Sequence, residues 1–207
     1  MRKIATYAIA FILSAALLAG ALAACGDRNT SQLGLAGTLA AGDILILAGI
    51  PWLVLDVQDG KALVISEHVL EFRKINQENR EMTWDRCDIR QYLNGEFIEV
   101  TFSDEEKGRI IETGVPNNAN PDLGTNSGED TIDRVFFLSI DEARLYLPDN
   151  ESRKAQFDDG VPAWWWLRSA GGKITHFARV RSGGLIDLGG NYVNVVGGVR
   201  PAMWVSI

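Results

Sequence analysis

Cysteine and histidine are scarce in this chain, with two of each among 207 residues. A histidine-based zinc site would need both His68 and His176, from distant segments, together with carboxylates. Cys25 and Cys87 could form one bridge at most, so a disulfide framework is excluded. Also missing are the Gly-x-Ser-x-Gly elbow, the His-Glu-x-x-His helix, the Gly-x-x-x-x-Gly-Lys loop, the Cys-x-x-Cys pair and the EF-hand loop, so enzyme readings lose most of their support. Positive charge is in deficit, with 20 Lys+Arg against 27 Asp+Glu and a net charge of -7. Such a chain avoids polyanions, which excludes nucleic acid as the leading partner. No apolar run reaches the roughly 20 residues that a bilayer core requires.

What is present at the start is an export signal. Residues 1–24 carry only Arg2 and Lys3 as charge, run apolar from Ala8 to Leu18 and end in small residues, the layout of a cleaved leader. Leu22-Ala23-Ala24-Cys25 resembles the lipobox of bacterial lipoproteins, whose cysteine becomes a lipidated N-terminus. The resemblance implies a palmitate-type anchor on Cys25, placing the protein on the extracytoplasmic face of a cell membrane without spanning it. Cys87 then has no intramolecular partner.

Residues 25–41 are small and polar without a sustained period and read as a flexible tether, leaving 42–207 as a single domain. Ile44–Leu47, Trp52–Val57 and Lys61–Ser66 are β-rich, and Asp59-Gly60 between two of them is a hairpin signal. Three short helices are expected in the middle: one capped by Thr83 and ended by Asn94-Gly95, one opened by the capping box Ser103-Asp104-Glu105-Glu106, and one opened by Ser139-Ile140-Asp141-Glu142. The oxygen-rich loop from Val115 to Thr131 is too long for a plain connection. Its Asp122, Asn126, Glu129 and Asp130, with Asp133 just beyond, have a density suited to calcium but a spacing that fits no standard calcium loop, so capping roles and no cofactor are expected.

From Ala163 onward the pattern is β again, and glycine pairs at 171/172, 183/184, 189/190 and 197/198 predict turns of an antiparallel meander. The predicted strands are Trp164–Ser169, Thr175–Arg181, Leu185–Leu188, Asn191–Val196 and Val199–Ile207. Strands, helices and strands in that order predict an α+β domain whose terminal strands pair. The late segment is the basic part of an acidic protein, with Arg168, Lys173, Arg179, Arg181 and Arg200 against Asp187 alone. Arg168 and Arg200, set in apolar strands, are expected to pair with acids on the helices, and Arg179 and Arg181 to share an exposed strand face.

Several stretches together, among them Gly42-Asp43-Ile44, Arg90-Gln91-Tyr92-Leu93-Asn94-Gly95, Trp165-Trp166-Leu167-Arg168-Ser169 and Gly198-Val199-Arg200-Pro201-Ala202, resemble a family of uncharacterised bacterial exported domains. That family resembles the C-type-lectin-like fold, near its formylglycine-generating and retroelement variable-protein branches. The resemblance implies joined terminal strands, a binding surface on the late strands and no established activity. The paired cysteines of formylglycine-generating enzymes and the Glu-Pro-Asn or Gln-Pro-Asp calcium tripeptides of sugar-binding lectins are absent.

The expectation is therefore a non-catalytic domain binding a glycan, peptide or cell-surface protein. The candidate contacts are Arg179, Arg181, Asn191, Tyr192, Asn194 and one face of the Trp164–Trp166 run, represented by Trp166. An anionic or sugar-containing ligand fits arginine forks and adaptable amides. The alternatives are an enzyme acting on cell-wall or extracellular glycans through carboxylates that no motif singles out, and a structural partner in an envelope complex.

Overall fold

The computed structural model describes residues 30–31, 39–157 and 160–207. The expected export signal and Cys25 lie outside the described residues. Among those that are described, no helix is long and apolar enough to cross a membrane.

The chain is a mixed α+β protein. It opens with β1 (Thr30–Ser31), β2 (Ile44–Leu47), β3 (Ile50–Gln58), β4 (Lys61–Ser66) and β5 (Glu71–Arg73). A 3-10 turn at Trp84–Arg86 leads into α1 (Asp88–Asn94), α2 (Glu96–Thr101), α3 (Asp104–Arg109), β6 (Ile110–Ile111), β7 (Thr113–Val115) and β8 (Thr131–Asp133). Then come α4 (Ile140–Tyr146), α5 (Asn150–Arg153), β9 (Ala155–Phe157), β10 (Val161–Ala163), β11 (Trp165–Ala170), β12 (His176–Val180), β13 (Ile186–Tyr192), β14 (Gly197–Val199) and β15 (Ala202–Ser206). Two larger sheets result, one ordered β1-β2-β3-β4-β15-β6 and the other β13-β12-β11-β14-β5, with β9–β10 and β7–β8 as separate pairs.

Local chemistry explains most of the early elements. Asp59 and Gly60 both have positive φ (49° and 72°) and join β3 to β4 through the tight turn expected of them. Ala48 and Gly49 form a second such turn, between β2 and β3, and the Ala48 N–H donates to Glu106 Oε1 at 2.7 Å. Both serine capping boxes form: Ser103 Oγ accepts from Glu106 N–H and Ser139 Oγ from Glu142 N–H, while each glutamate accepts from its serine N–H. Thr83 makes no such cap. Its hydroxyl accepts from Arg86 Nε instead, the helix stops after one 3-10 turn, and the extended backbone of Cys87 (ψ 154°) separates that turn from α1. The short helices α2 and α5 were not expected.

One hydrophobic cluster runs through both larger sheets and the helices, taking in Trp52, Ile65, Trp84, Leu93, Phe137, Trp165, Trp166 and Phe177. Full burial of one such side chain contributes about 1.5–3 kcal/mol relative to exposure. The predicted last strand, Val199–Ile207, is in fact two. β14 lies in the five-stranded sheet, parallel to β11 and antiparallel to β5, whereas β15 lies in the six-stranded sheet between β4 and β6. Arg200 and Pro201 make the crossing.

Two of the four glycine pairs are not turns. Gly189-Gly190 sits inside β13 at a shift of register, and Gly190 (φ 70°) packs so closely that a Cβ would lie 1.9 Å from the Phe177 carbonyl oxygen. Gly197-Gly198 forms the body of β14, where a Cβ on Gly197 would lie 2.2 Å from the Trp164 ring. Here glycine permits close approach, of backbone to backbone at Gly190 and of indoles to backbone at Gly197, rather than chain reversal.

A chain ending at Gly198 loses β15, the strand that hydrogen-bonds both β4 and β6, and with it Arg200. Its expected behaviour is loss of the cooperative thermal transition, checked by circular dichroism and calorimetry against the intact chain. A native-like melt of the truncated chain contradicts the central placement of β15.

Candidate binding surface

Residues directly opposite one another on neighbouring strands project to the same face of a sheet. In the five-stranded sheet this applies to Arg73 with Gly197, Trp166 with Arg179, and Arg179 with Asp187. Trp164, two residues before Trp166, lies half-buried against Gly197, with ring centroids 4.7 Å from Trp166 and planes at 81°. The Arg179 guanidinium carbon stands 4.9 Å from the Trp164 ring centroid. Arginine over indole is a cation–π contact.

Asp187 organises the far side of this cluster. Its Oδ2 accepts from Arg179 Nε and Arg181 Nε, each at 3.1 Å, and its Oδ1 from Gly190 N–H at 3.2 Å. Burial opposes ionisation of Asp187, but these hydrogen bonds outweigh it and the pKa falls below the ordinary carboxylate value. The clamp therefore contributes stability above the carboxylate's unfolded pKa and loses it as pH falls through the lower folded one. Two guanidiniums share one carboxylate, leaving one positive charge without a paired acid among the described residues. Arg181 is 56% exposed and Arg179 23%, so Arg181 projects into solvent while Arg179 is held between Asp187 and Trp164.

At the β5 end, Arg73 lies over the Tyr92 ring at 3.5 Å, and Glu71 joins the two, accepting from Arg73 Nε at 2.7 Å and from Tyr92 OH at 2.6 Å. Burial, followed by the hydrogen bond to Glu71, pushes the Tyr92 hydroxyl up to about 12. A hollow of ≈ 290 Å³ adjoins, edged by Phe72, Lys74 and Val196.

The expected contacts divide. Arg179 and Arg181 come together as predicted, though Arg179 is less exposed than expected. Trp166 is fully buried, its Nε1–H donating to the Arg73 carbonyl at 3.1 Å, so it is a core residue and cannot present a face to a ligand. Trp164 is the tryptophan at the surface. A strand buried on one face only would show Trp165 and Trp166 with opposite exposures, but every residue of β11 is buried. Asn191 and Tyr192 are successive residues of β13 and so point to opposite faces. Tyr192 packs on His176 at 4.2 Å, Asn191 is paired with Phe177, and Asn194 lies beyond the strand; among the described residues none of the three hydrogen-bonds Asp187 or either arginine. Burial and then Lys173 lower the pKa of His176.

Arg168 bonds both carboxylate oxygens of Glu142 on α4 and donates to the carbonyls of Phe137 and Pro116. Arg200 departs from expectation, because it meets the carbonyls of Ser66 and Glu67 rather than a helix acid. The long loop is tied to the sheet and to α4: Asn120 Nδ2 donates to the carbonyl oxygens of Ala170 (2.8 Å) and Leu188 (3.2 Å), Ser127 Oγ accepts from Ala170 N–H, and Asp122 pairs with Arg144. Asp133 accepts from Trp84, Arg90 and Thr131. Among the described residues no group of three or more His, Cys, Asp or Glu is placed to hold a metal ion.

Cys87 is fully buried, its thiol donating to the Trp84 carbonyl at 3.3 Å, and burial pushes its pKa up to about 12. Since the thiolate is the reactive form, a Cys25→Ala chain is expected to resist thiol reagents at neutral pH until it unfolds. Rapid labelling of the folded chain would contradict this burial.

Residues 59–207 match a family model described as a domain of unknown function, DUF6273. No curated protein and no solved structure matches the chain. The matched stretch begins in the β3–β4 turn and runs through β15, taking in every strand of the five-stranded sheet and Asp187 with its two arginines. On that match the chain belongs to the DUF6273 family.

Proposed function

We propose that this protein is a lipid-anchored, extracytoplasmic, non-catalytic binding domain that engages an anionic or sugar-containing ligand through Trp164, Arg179 and Arg181. The observation that carries the reading is the indole held against Gly197 and stacked on an arginine that Asp187 fixes in place. An aromatic face positioned in this way offers apolar contact at little entropic cost, and the adjoining guanidinium offers forked donors to a carboxylate or sulfate. The C-type-lectin-like assignment belongs to the same proposal. Pairing of the last strand, β15, with the early strand β4 supports it, as does the position of the candidate surface on the late strands.

A glycan and peptide array supplies the ligand. Against it, Trp164→Ala and the pair Arg179→Ala/Arg181→Ala are each expected to weaken binding by about 1–3 kcal/mol, the range for charge-assisted contacts and for stacking. Removal of Arg181, more than half exposed, should cost no more than about 0.5 kcal/mol of stability. Unchanged affinity in both variants would refute this surface as the site.

Anchoring is tested separately. Two or three acyl chains, at about 0.8 kcal/mol per buried methylene, hold a protein stably on a bilayer. Cys25→Ala is expected to release the folded protein from the membrane fraction, read by fractionation and mass spectrometry. Retention of the variant on the membrane refutes the lipid anchor.

A further inference from the structure

The Trp164 surface continues across the sheet to its opposite edge. Trp165 pairs with Gly198, so Trp164, Trp166 and Gly197 share the other face, which Arg179 and Asp187 join from β12 and β13 and Arg73 joins from β5. In the strand order β12-β11-β14-β5, Arg179 and Arg73 lie three spacings apart, about 14 Å between backbones. Gly197 keeps the floor low between them, and the Trp164 ring rests there.

The two arginines are held alike. Asp187 accepts from Arg179 Nε at 3.1 Å and Glu71 from Arg73 Nε at 2.7 Å, while the guanidiniums lie against Trp164 and Tyr92, at 4.9 Å and 3.5 Å from the ring centroids. In both, Nη1 and Nη2 make no hydrogen bond among the described residues, and none of these four atoms is sealed from solvent. Two fixed forks thus keep free donors at the surface.

Beyond Arg73, between β5 and α1, lies the hollow of ≈ 290 Å³. Phe72 and Val196 at its edge are 42% and 52% exposed, and Ile89 and Tyr92 add apolar wall. Along the whole strip Arg73, Lys74, Arg179 and Arg181 stand against Glu71, Asp88 and Asp187, which leaves a single positive charge in excess.

We infer that the ligand is an extended peptide lying across the strands, with its one carboxylate at Arg179 and Arg181, its backbone carbonyls accepting from the free donors of Arg73, and an apolar side chain in the hollow. This inference rests on the Trp164 surface being the binding site and adds the ligand's class and length. One carboxylate matches the one excess charge, and the exposed Phe72 and Val196 suit an aliphatic side chain better than a sugar. An extended chain covers at most ~3.3–3.6 Å per residue, so about four residues separate the carboxylate from the apolar side chain.

The test titrates the intact chain with N-acetyl-leucyl-oligoserine peptides that carry from none to six serines and a free C-terminal carboxylate, and with their C-terminal amides. Arginine Nε–Hε and valine methyl NMR signals read weak binding and its place. All the acids are expected to move the Arg179 and Arg181 signals, and the amides to bind much more weakly. Affinity is expected to rise about tenfold once about four serines let the leucine reach the hollow, where part of its side chain is buried. The Val196 methyl signals should shift from that length onward and not before. Val196→Ser is expected to cancel most of the rise, with the peptide lacking serine, too short to reach the hollow, as the reference. Phe72 packs on Phe157 at 5.0 Å, so Val196→Ser is the cleaner variant. The inference is overturned by affinity that does not depend on length, by a rise without movement of the Val196 signals, by an undiminished rise in Val196→Ser, or by no binding of any peptide in the series. Binding that Arg179→Ala/Arg181→Ala weakens at every length, with no rise along the series, overturns the extended peptide and leaves the Trp164 surface standing. An array glycan weakened by both Trp164→Ala and Val196→Ser replaces the peptide with a sugar chain and overturns the assignment.

Discussion

Arg200 holds the point at which the chain leaves one sheet for the other. β14 ends at Val199 and β15 begins at Ala202, so two residues carry the backbone between sheets with no loop to absorb error. The backbone on either side is pinned, with Leu70 N–H donating to the Val199 carbonyl and Ser66 N–H to the Pro201 carbonyl, each at 2.9 Å. The guanidinium closes the arrangement by binding the carbonyls of Ser66 and Glu67, where β4 ends, and by covering Trp165. Taking such a charge out of water costs several kcal/mol. The fold tolerates that cost where one side chain can satisfy two end-of-strand carbonyls that the turn in the chain leaves without ladder partners.

Arg168 does related work on the other side of β11. It reaches from a fully buried strand to Glu142, which is also the carboxylate of the capping box that starts α4. One acid therefore fixes the start of a helix and its distance from the sheet. Ser169 Oγ, accepting from Ile140 N–H at 3.0 Å, adds a second tie between the same elements. The Trp164 surface depends on this rigidity, since β11 carries Trp166 behind Trp164 and pairs with the strand that bears Arg179.

Elements set by local chemistry were legible in the sequence. Asp59-Gly60 and the serine boxes at 103 and 139 work through contacts within four residues, and nothing distant competes with them. Thr83 failed as a cap because its hydroxyl found Arg86 and the backbone straightened at Cys87, which burial against Trp84 holds in place. The glycine pairs misled at 189/190 and 197/198, since glycine serves both for turning and for close approach, and only the partner strand reveals which. Of the tryptophans, strand alternation alone placed Trp165 opposite its neighbours. That Trp166 is core and Trp164 surface depends on Gly197 and on the Arg73 carbonyl, and both lie far away in sequence. The same limit applies to Asn191 and Tyr192, whose adjacency in one strand already argued against a shared face.

The charge pattern shows how far a count can stand from a field. By count the late strands are the basic part of the chain, with five cations against Asp187 alone. In the fold Arg168 is taken by Glu142, and Arg179 and Arg181 divide Asp187 between them. Arg200 is met by carbonyls and, at longer range, by Glu67. Besides Lys173, exposed between β11 and β12, what remains is local and directional: one exposed guanidinium near a half-buried indole. Electrostatic attraction there is short-ranged, because an acidic protein surrounds it and solvent screens charges beyond about 8–10 Å. If this surface is the binding site we propose, recognition there would depend on donor geometry and aromatic contact rather than on long-range steering, which would suit a ligand carrying a single carboxylate or sulfate on a sugar or peptide frame over an extended polyanion.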